Sequence, residues 1–285
     1  MTIYQREHER RLRAGIVGVG SHSYRNLMPA LHYLPVELAA VCDLDESLAR
    51  KTAAEFGVGQ VYGSTAEMYD KANLDAVFIC VSPAMHPKLA SEAMNAGVHA
   101  WTEKPAAMRA SEVEAMIAVR DATRRKAAVG YKKAYMPATR KAKELSELPE
   151  FGGIRSIYGM YPMSIPRDGR SALENRESSK WLADGCHPLA CMIAIGGPVR
   201  EVTVLQGDRD DSDGVVFLKF DSGATGTFHL ASKAPAGRSV ERYDVFGENG
   251  KVISIENVSR VSYQRGIPIS YSAQTDFTAP GTDSG

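Results

Sequence analysis

The sequence lacks an excess of charge of either sign, with 34 Lys and Arg residues against 34 Asp and Glu residues among 285. A protein whose main task is to bind nucleic acid or an anionic membrane needs a basic surplus, so the composition argues against both kinds of partner. The sequence also lacks any apolar run near the roughly 20 residues that cross a bilayer. The charged N-terminus has no apolar core of the kind that a secretory signal needs, and we expect no such signal.

Cysteine is scarce as well, with four residues, at positions 42, 80, 186 and 191. Four cysteines in a chain of this length do not make a disulfide framework. Cys186, His187 and Cys191 are close in sequence, but a zinc site needs a further ligand and other spacings, so we expect no metal. The hydrophobic share of 44% is ordinary for a globular protein, and the length suits two domains. We therefore expect a reduced, cytoplasmic, two-domain protein.

Short β-branched runs alternate with helical patterns in the first half of the chain. The predicted strands are Arg13–Val19, Val36–Asp43, Asp75–Val81, Val98–Thr102 and Lys126–Tyr131. The predicted helices are Leu27–Leu34, Glu46–Phe56, Ser64–Lys71, His86–Ala96 and Ser111–Thr123, the last with a capping box of Ser111 and Glu114. This alternation is typical of a parallel sheet covered on both faces. It predicts a doubly wound α/β domain of the Rossmann type over residues 1–134.

The rhythm changes after a helix predicted at Pro137–Leu148. Strand patterns then follow one another, at Ile154–Met163, Glu201–Gln206, Val215–Phe220, Thr225–Ala231, Tyr243–Phe246 and Val252–Ile255, with one helix among them at Trp181–Ile195. Strands in direct succession favour an antiparallel or mixed sheet, so residues 135–285 are predicted to form an α+β domain on an open sheet. Pro166–Lys180 is polar and has no periodicity, and we expect a mobile loop near the site there.

A phosphate-binding turn is predicted after the first strand, in Gly18-Val19-Gly20-Ser21-His22-Ser23. The first glycine allows the tight bend, the second lets a pyrophosphate approach the backbone, and the following helix start supplies N–H groups. Ser23 stands near the place of the usual third glycine. Asp43, at the end of the second strand, is placed to accept the hydroxyls of an adenosine ribose and to repel a 2′-phosphate, which favours NAD over NADP. The alternatives are a plain tight turn and an Asp43 that only caps the next helix.

Two further segments leave predicted strands, namely Ser82-Pro83-Ala84-Met85-His86 and Glu103-Lys104-Pro105. Ligands of open parallel sheets bind at strand ends of this kind. A lysine held between a strand end and a proline has a restricted position. We therefore interpret Lys104 as more than a solvated surface charge.

Taken together, these segments resemble the Gfo/Idh/MocA family of sugar and polyol oxidoreductases. The stretch Ser82–Pro105 is similar to the family's run of T-P-x-x-x-H, A-G-x-H-V and E-K-P, and Val129–Pro137 is similar to its domain-junction segment. The resemblance implies a Rossmann domain joined to an α/β domain whose open sheet covers the substrate and often forms the oligomer interface. It implies NAD as the cofactor, with NADP less favoured, a sugar or polyol as the substrate, and a homodimer or homotetramer.

The resemblance also implies residue roles. Lys104 contacts the nicotinamide ribose and the substrate, and His187, near the start of the second domain's helix, takes part in proton transfer. Asp184 is expected to orient the imidazole, one position later than the family's aspartate, where this chain has Ala183. The expected cofactor contacts are Gly18, Gly20, Ser21, His22, Asp43, Ser82, Pro83, His86, Glu103, Lys104 and Tyr131, and the expected substrate contacts are Lys104, Lys132, Trp181 and His187.

The function expected on these grounds is hydride transfer between NAD and a sugar, a polyol or a sugar derivative. A histidine that titrates near working pH removes the hydroxyl proton, while a lysine cation stabilises the developing alkoxide. Two alternatives stay open at this point. One is an NAD-dependent glycosidase of the same family, and the other is a catalytically silent regulatory protein that binds NAD.

Overall fold

The computed structural model describes residues 10–163, 181–208, 213–231, 241–257, 259–265 and 268–272. The chain divides into two compact units, Met1–Gly130 and Tyr131–Gly285, called unit 1 and unit 2 below. The division falls just before Tyr131, whereas the sequence placed the boundary after residue 134. Pro166–Lys180, expected to be a mobile loop, lies outside the described residues.

Unit 1 is built on a six-stranded sheet in the order β3-β2-β1-β4-β5-β6. The strands are β1 (Leu12–Val17), β2 (Val36–Cys42), β3 (Gln60–Tyr62), β4 (Ala76–Ile79), β5 (His99–Thr102) and β6 (Ala127–Val129). Every neighbouring pair is parallel. The Rossmann-type prediction is therefore confirmed. The sequence missed β3, because a three-residue edge strand is too short to show a period of its own.

The helices of unit 1 pack on the sheet and form two clusters of buried apolar side chains with it. They are α1 (Met28–Leu31), α2 (Glu46–Phe56), α3 (Thr65–Lys71), α4 (His86–Asn95) and α5 (Ala110–Thr123), and a π-helical turn at Ser23–Leu27 leads into α1. The first helical segment thus begins at Ser23, earlier than the predicted Leu27, and follows the Gly18–Gly20 turn directly. The capping box predicted at Ser111 is wrong, because the carboxylate of Glu112 instead accepts the N–H groups of Met108 and Arg109.

Unit 2 is built on an eight-stranded sheet in the order β14-β13-β12-β11-β7-β10-β9-β8. The strands are β7 (Ile154–Tyr161), β8 (Val199–Gln206), β9 (Gly214–Phe220), β10 (Thr225–Leu230), β11 (Arg242–Gly247), β12 (Val252–Glu256), β13 (Arg260–Gln264) and β14 (Pro268–Ser272). Only β7 and β10 pair in parallel among these described strands, so the predicted mixed sheet is confirmed. The sequence missed β13 and β14, whose patterns are short and lie beside the chain end.

The helices of unit 2 are α6 (Lys132–Tyr135), α7 (Pro137–Ser146) and α8 (Cys186–Gly196), with a π-helical turn at Trp181–Gly185 before α8. One face of the sheet packs with α7 and α8 into a single core, in which Ile157, Phe228 and Tyr243 are buried. The opposite face is different in character, since Leu205 and Phe217 on it are 60% and 43% exposed. No helix in the described ranges has the length and apolar character to span a membrane.

An ion pair between Lys133 and Glu241 lies inside unit 2, where the side chains are only 1% and 3% exposed. The Tyr243 hydroxyl donates to the other carboxylate oxygen of Glu241 at 2.5 Å. The Lys133 ammonium also lies 4.6 Å from the centre of the Tyr161 ring, within range of a cation–π contact. Buried charges are tolerated only when they are paired and hydrogen-bonded, and both conditions are met here.

Replacing Lys133 by Met leaves the Glu241 carboxylate buried without its partner charge, and we expect the free energy of unfolding to fall by about 3–5 kcal/mol. In Lys133→Met combined with Glu241→Gln no charge is buried, so most of that loss is recovered. Urea unfolding followed by circular dichroism measures both variants. Lys132→Met is the matched control at an exposed neighbour and changes the free energy by less than about 0.5 kcal/mol. Equal losses in the single and double variants would contradict the prediction.

Candidate active site

Gly18 ends β1 in a conformation that only glycine adopts without strain, with φ at +85°. A Cβ atom there would lie 2.3 Å from the carbonyl oxygen of Cys80, which follows β4. The Gly18 N–H donates to the carbonyl oxygen of Cys42, at the end of β2. The turn is therefore closed tightly against the ends of both neighbouring strands.

Gly20 has the opposite surroundings, because no atom beyond its two chain neighbours lies within 4 Å of the place where a Cβ would stand. The completely buried Ser23 fixes the turn from inside, and its hydroxyl lies 2.8 Å from the carbonyl oxygen of Gly18 and 3.0 Å from that of Gly20. The Tyr24 N–H also donates to the Gly20 carbonyl oxygen. Ser23 thus closes the turn by hydrogen bonding, a role that the sequence did not reveal. The open side of Gly20 leaves room for a close approach by a ligand.

Both carboxylate oxygens of Asp43 are held by backbone N–H groups. One accepts from Val19 at 2.8 Å and the other from Asp45 at 3.0 Å. The cap of α2 is Asp45, whose side chain accepts from the Leu48 N–H. Asp43 therefore accepts an N–H in the turn that leads into α2, whereas the cap of the helix itself is Asp45. The Asp43 carboxylate is fixed at the edge of the Gly18 turn and has lone pairs left for further donors.

A cleft of about 560 Å³ opens at the carboxyl ends of the strands of unit 1. Its walls include Gly18 after β1, Asp43 after β2 and Ser82 after β4, with Leu89 of α4 opposite. Leu44 also lines this cleft and is 95% exposed, which gives a ligand an apolar surface. Leu44 was not among the predicted site residues, although its place directly after Asp43, the predicted ribose acceptor, is visible in the sequence.

The segment Glu103-Lys104-Pro105 follows β5 and is tied to the Gly18–Gly20 turn by side-chain contacts. One carboxylate oxygen of Glu103 lies 3.2 Å from Nε2 of His22, and the other accepts the Lys104 N–H at 3.0 Å. The N–H of Glu103 donates to the carbonyl oxygen of Ile79 in β4. Lys104 is therefore positioned by a partner that itself contacts the predicted pyrophosphate turn.

His86 corrects one expectation, because its side chain is completely buried and does not line a cofactor path. Its Nδ1 lies 2.8 Å from the carbonyl oxygen of Pro105 and its Nε2 3.1 Å from that of Val81. Burial lowers the pKa of this imidazole. The ring instead holds the loops after β4 and β5 together, so His86 supports Lys104 from within. Pro83 begins the short 3-10 turn Pro83–Met85 beside it.

The cysteines of unit 1 do not supply a nucleophile. Burial raises the pKa of Cys42 to about 11, and the charge of Asp43 adds to the rise. Burial likewise raises the pKa of Cys80 to about 11. Both thiols are therefore neutral at physiological pH, and only a thiolate would attack a substrate. Within the described ranges, no cluster of three His, Cys, Asp or Glu side chains is suited to a metal ion.

In unit 2, His187 is the second residue of α8 and is 6% exposed. Asp184 lies in the π-helical turn before it and is half-buried. Burial, followed by the charges of Glu241 and Asp184, raises the pKa of Tyr161 to about 12, so this phenol stays neutral and able to donate a hydrogen bond. The charge of Asp184 thus disfavours the phenolate form of Tyr161, an effect that the sequence did not show.

The remaining predicted residues of unit 2 differ in how they are placed. Tyr131 is half-buried just before α6, and Lys132 opens that helix with an exposed side chain. Its neighbour Lys133, which was not predicted as a site residue, is the buried one of the two and pairs with Glu241. No local signal could have revealed it, since its partner is 108 residues away. The backbone of Trp181 lies in the π-helical turn before α8.

The residues of unit 1 fit a dinucleotide. Gly20 leaves open space beside the backbone, and Asp43 presents an oriented carboxylate. The cleft lined by Gly18, Asp43 and Ser82 lies where the parallel sheet reverses its strand order, between β1 and β4. A cation site would need a cluster of ligand side chains, and a thiol nucleophile would need a cysteine that ionises near physiological pH. The fold and the site therefore define a dinucleotide-binding protein of the Rossmann class.

Comparison with known proteins identifies the family. Residues 12–131 match the model of the "Oxidoreductase family, NAD-binding Rossmann fold" and residues 139–253 match the "GFO/IDH/MocA C-terminal domain". The chain belongs to the Gfo/Idh/MocA family of NAD-dependent oxidoreductases. The resemblance seen in the sequence is therefore confirmed, as are the class of enzyme and NAD as its cofactor.

Individual relatives are more distant. The chain is 26% identical to myo-inositol 2-dehydrogenase of Thermotoga maritima, over 85% of this chain and 75% of that protein. It is 27% identical to D-xylose 1-dehydrogenase (NADP(+)) 2 of Haloferax volcanii, over 78% of this chain and 70% of that protein. The structure of an oxidoreductase from Agrobacterium radiobacter in complex with NAD+, L-tartaric acid and magnesium superposes with a TM-score of 0.77 at 19% identity, covering 93% of this chain and 80% of that one. That likeness shows the shared fold.

Replacing Gly20 by Ala tests the predicted pyrophosphate contact. The added methyl meets no protein atom and the residue does not need a positive φ, so we expect thermal stability to be unchanged. The methyl occupies the space through which the ligand approaches, so the Kd for NAD rises about tenfold or more, equivalent to about 1.4 kcal/mol. Isothermal titration calorimetry measures this. Gly59→Ala, in equally open space away from the cleft, is the control and binds NAD as the wild type does.

Replacing Asp43 by Ala tests the ribose contact. We expect NAD to bind about tenfold more weakly, because two hydroxyl donors lose their acceptor. NADP affinity falls less or rises, since a repelling charge is gone, and calorimetric titration with both cofactors gives the ratio. Asp45→Ala removes the neighbouring carboxylate and the cap of α2. It costs about 1 kcal/mol of stability but leaves the ratio of the two affinities unchanged, and a shift of equal size there would contradict the role of Asp43.

Proposed function

We propose that the enzyme transfers a hydride between NAD and a CH–OH group of a sugar, a polyol or a sugar derivative. The names of the relatives support this substrate class, because one is a dehydrogenase of myo-inositol and another of D-xylose. The oriented carboxylate of Asp43 supports NAD over NADP, since a second anion beside it would be repelled.

The observation that carries the proposal is the 3.2 Å contact between His22 and Glu103. It places the segment of Lys104 beside the turn that is predicted to hold the pyrophosphate. A cation at this position stabilises an oxygen that becomes negative while its carbon loses a hydride.

Bound NAD supplies a hydride acceptor at C4 of its nicotinamide ring. The residues of the chain supply the rest of the chemistry in this proposal. Lys104 binds and polarises the reacting oxygen, and His187 takes the hydroxyl proton on oxidation or returns it on reduction. Asp184 orients the imidazole, while Lys132, Trp181 and Tyr131 contribute contacts to the substrate or the nicotinamide.

We also propose that the enzyme is a homodimer or homotetramer located in the cytoplasm. The exposed face of the sheet of unit 2 supports an oligomer, because Leu205, Phe217 and Phe246 all point to that face. The scarcity of cysteine supports a reducing compartment. Size-exclusion chromatography with light scattering measures the oligomeric state directly.

A panel of sugars and polyols, followed at the NADH absorbance, tests the proposed activity. We expect turnover of at least one member by the wild type. Lys104→Ala and His187→Ala lower kcat by about 10²–10⁴-fold, because each removes a group that acts on the reacting oxygen or its proton. The controls are Lys71→Ala and His32→Ala, which remove exposed residues of the same types and leave kcat unchanged. Activity that survives both active-site replacements would refute the assigned chemistry.

A further inference from the structure

His22 makes two hydrogen-bond contacts that together fix its state. Its Nδ1 lies 3.3 Å from the amide nitrogen of Asn26, one helical turn later, and its Nε2 lies 3.2 Å from Oε1 of Glu103. An amide nitrogen can only donate, so Nδ1 is the acceptor in the first contact. Nε2 therefore carries the hydrogen and donates it to the Glu103 carboxylate.

Glu103 transmits this contact to the backbone of the lysine. Its side chain is only 17% exposed, so the carboxylate depends on protein donors for part of its hydrogen bonding. Oε1 is directed to His22, while Oε2 accepts the N–H of Lys104 at 3.0 Å. If the hydrogen bond from His22 is lost, the Glu103 carboxylate is less well fixed, and its hydrogen bond with the Lys104 N–H weakens.

The two residues of this contact lie next to the two predicted functional segments of unit 1, the pyrophosphate turn and Lys104. His22 directly follows Gly20 and Ser21 of the predicted pyrophosphate turn, and Glu103 directly precedes Lys104. The strands that carry them, β1 and β5, are not neighbours in the sheet, because β4 lies between them. The side-chain contact therefore links two loops that no backbone ladder joins.

We infer that His22 is a positioning residue for Lys104, acting through Glu103, and that it couples the seat of the cofactor to the lysine. The inference rests on the proposed function for its catalytic consequence. The contact contributes little to global stability, because the imidazole is 55% exposed and exposed ion pairs contribute little. Its effect is local, because it limits the opening motion of the backbone at Lys104.

The direct test is the hydrogen exchange rate of the Lys104 amide in the full chain, labelled with ¹⁵N-lysine and followed by NMR. The resonance of Lys104 is the one that disappears in Lys104→Arg. We expect His22→Ala to exchange this amide about fivefold faster, which is the effect of one weakened hydrogen bond on local opening. His22→Gln keeps an N–H donor within reach of Glu103 and restores the slow rate. His32→Ala removes an exposed histidine elsewhere in unit 1 and has no effect.

An unchanged Lys104 exchange rate in His22→Ala overturns the inference, and so does a Gln variant that exchanges as fast as the Ala variant. The thermal midpoint of all three variants is expected to equal that of the wild type, so a faster rate cannot come from general destabilisation. On a substrate found in the panel, kcat falls about fivefold in His22→Ala and recovers in His22→Gln. A wild type with no turnover on the panel would remove the proposed function while the exchange experiment still decides the role of His22.

Discussion

The close passage of Gly18 past Cys80 is the constraint on which the site of unit 1 depends. No Cβ fits at Gly18, because the carbonyl oxygen of Cys80 already occupies the place. The chain can therefore turn sharply at the end of β1 and present Gly20 to open space. The same turn lets the Val19 N–H reach the carboxylate of Asp43. One backbone contact thus sets the geometry of the groups predicted to hold both the pyrophosphate and the ribose.

Most of the architecture could be predicted from the sequence, because alternating periods of apolar residues reveal strands, helices and their order. Gly18, Gly20 and Asp43 could be found for the same reason, since their meaning depends on their place relative to a strand end. The inward direction of His86 and the pairing of Lys133 with Glu241 could not. Both depend on which side chain meets another from a distant segment, and a local pattern holds no information about that.

The histidines of this chain differ in their roles, and the exposed fraction of each side chain distinguishes them. His86 is completely enclosed between two carbonyl oxygens, so its ring ties two loops together and reaches no ligand. His22 keeps half of its surface in solvent while it contacts Glu103. His187 lies at the start of α8, nearly buried but in the first turn of its helix. The residue type alone was a poor guide, whereas its environment distinguishes a support, a link and a candidate acid–base group.

The position of β7 in its sheet has a consequence for how the chain assembles. β7 ends at residue 161, yet it pairs with β10, which begins at residue 225, and with β11, which begins at residue 242. During synthesis β7 cannot form its pairs at the centre of this sheet until β10 and β11 have left the ribosome. The last strand of unit 1 ends at residue 129, so that sheet has all its strands far earlier. Domains fold as units with the N-terminal one first, and the long-range pairing of β7 makes the second unit the slower of the two.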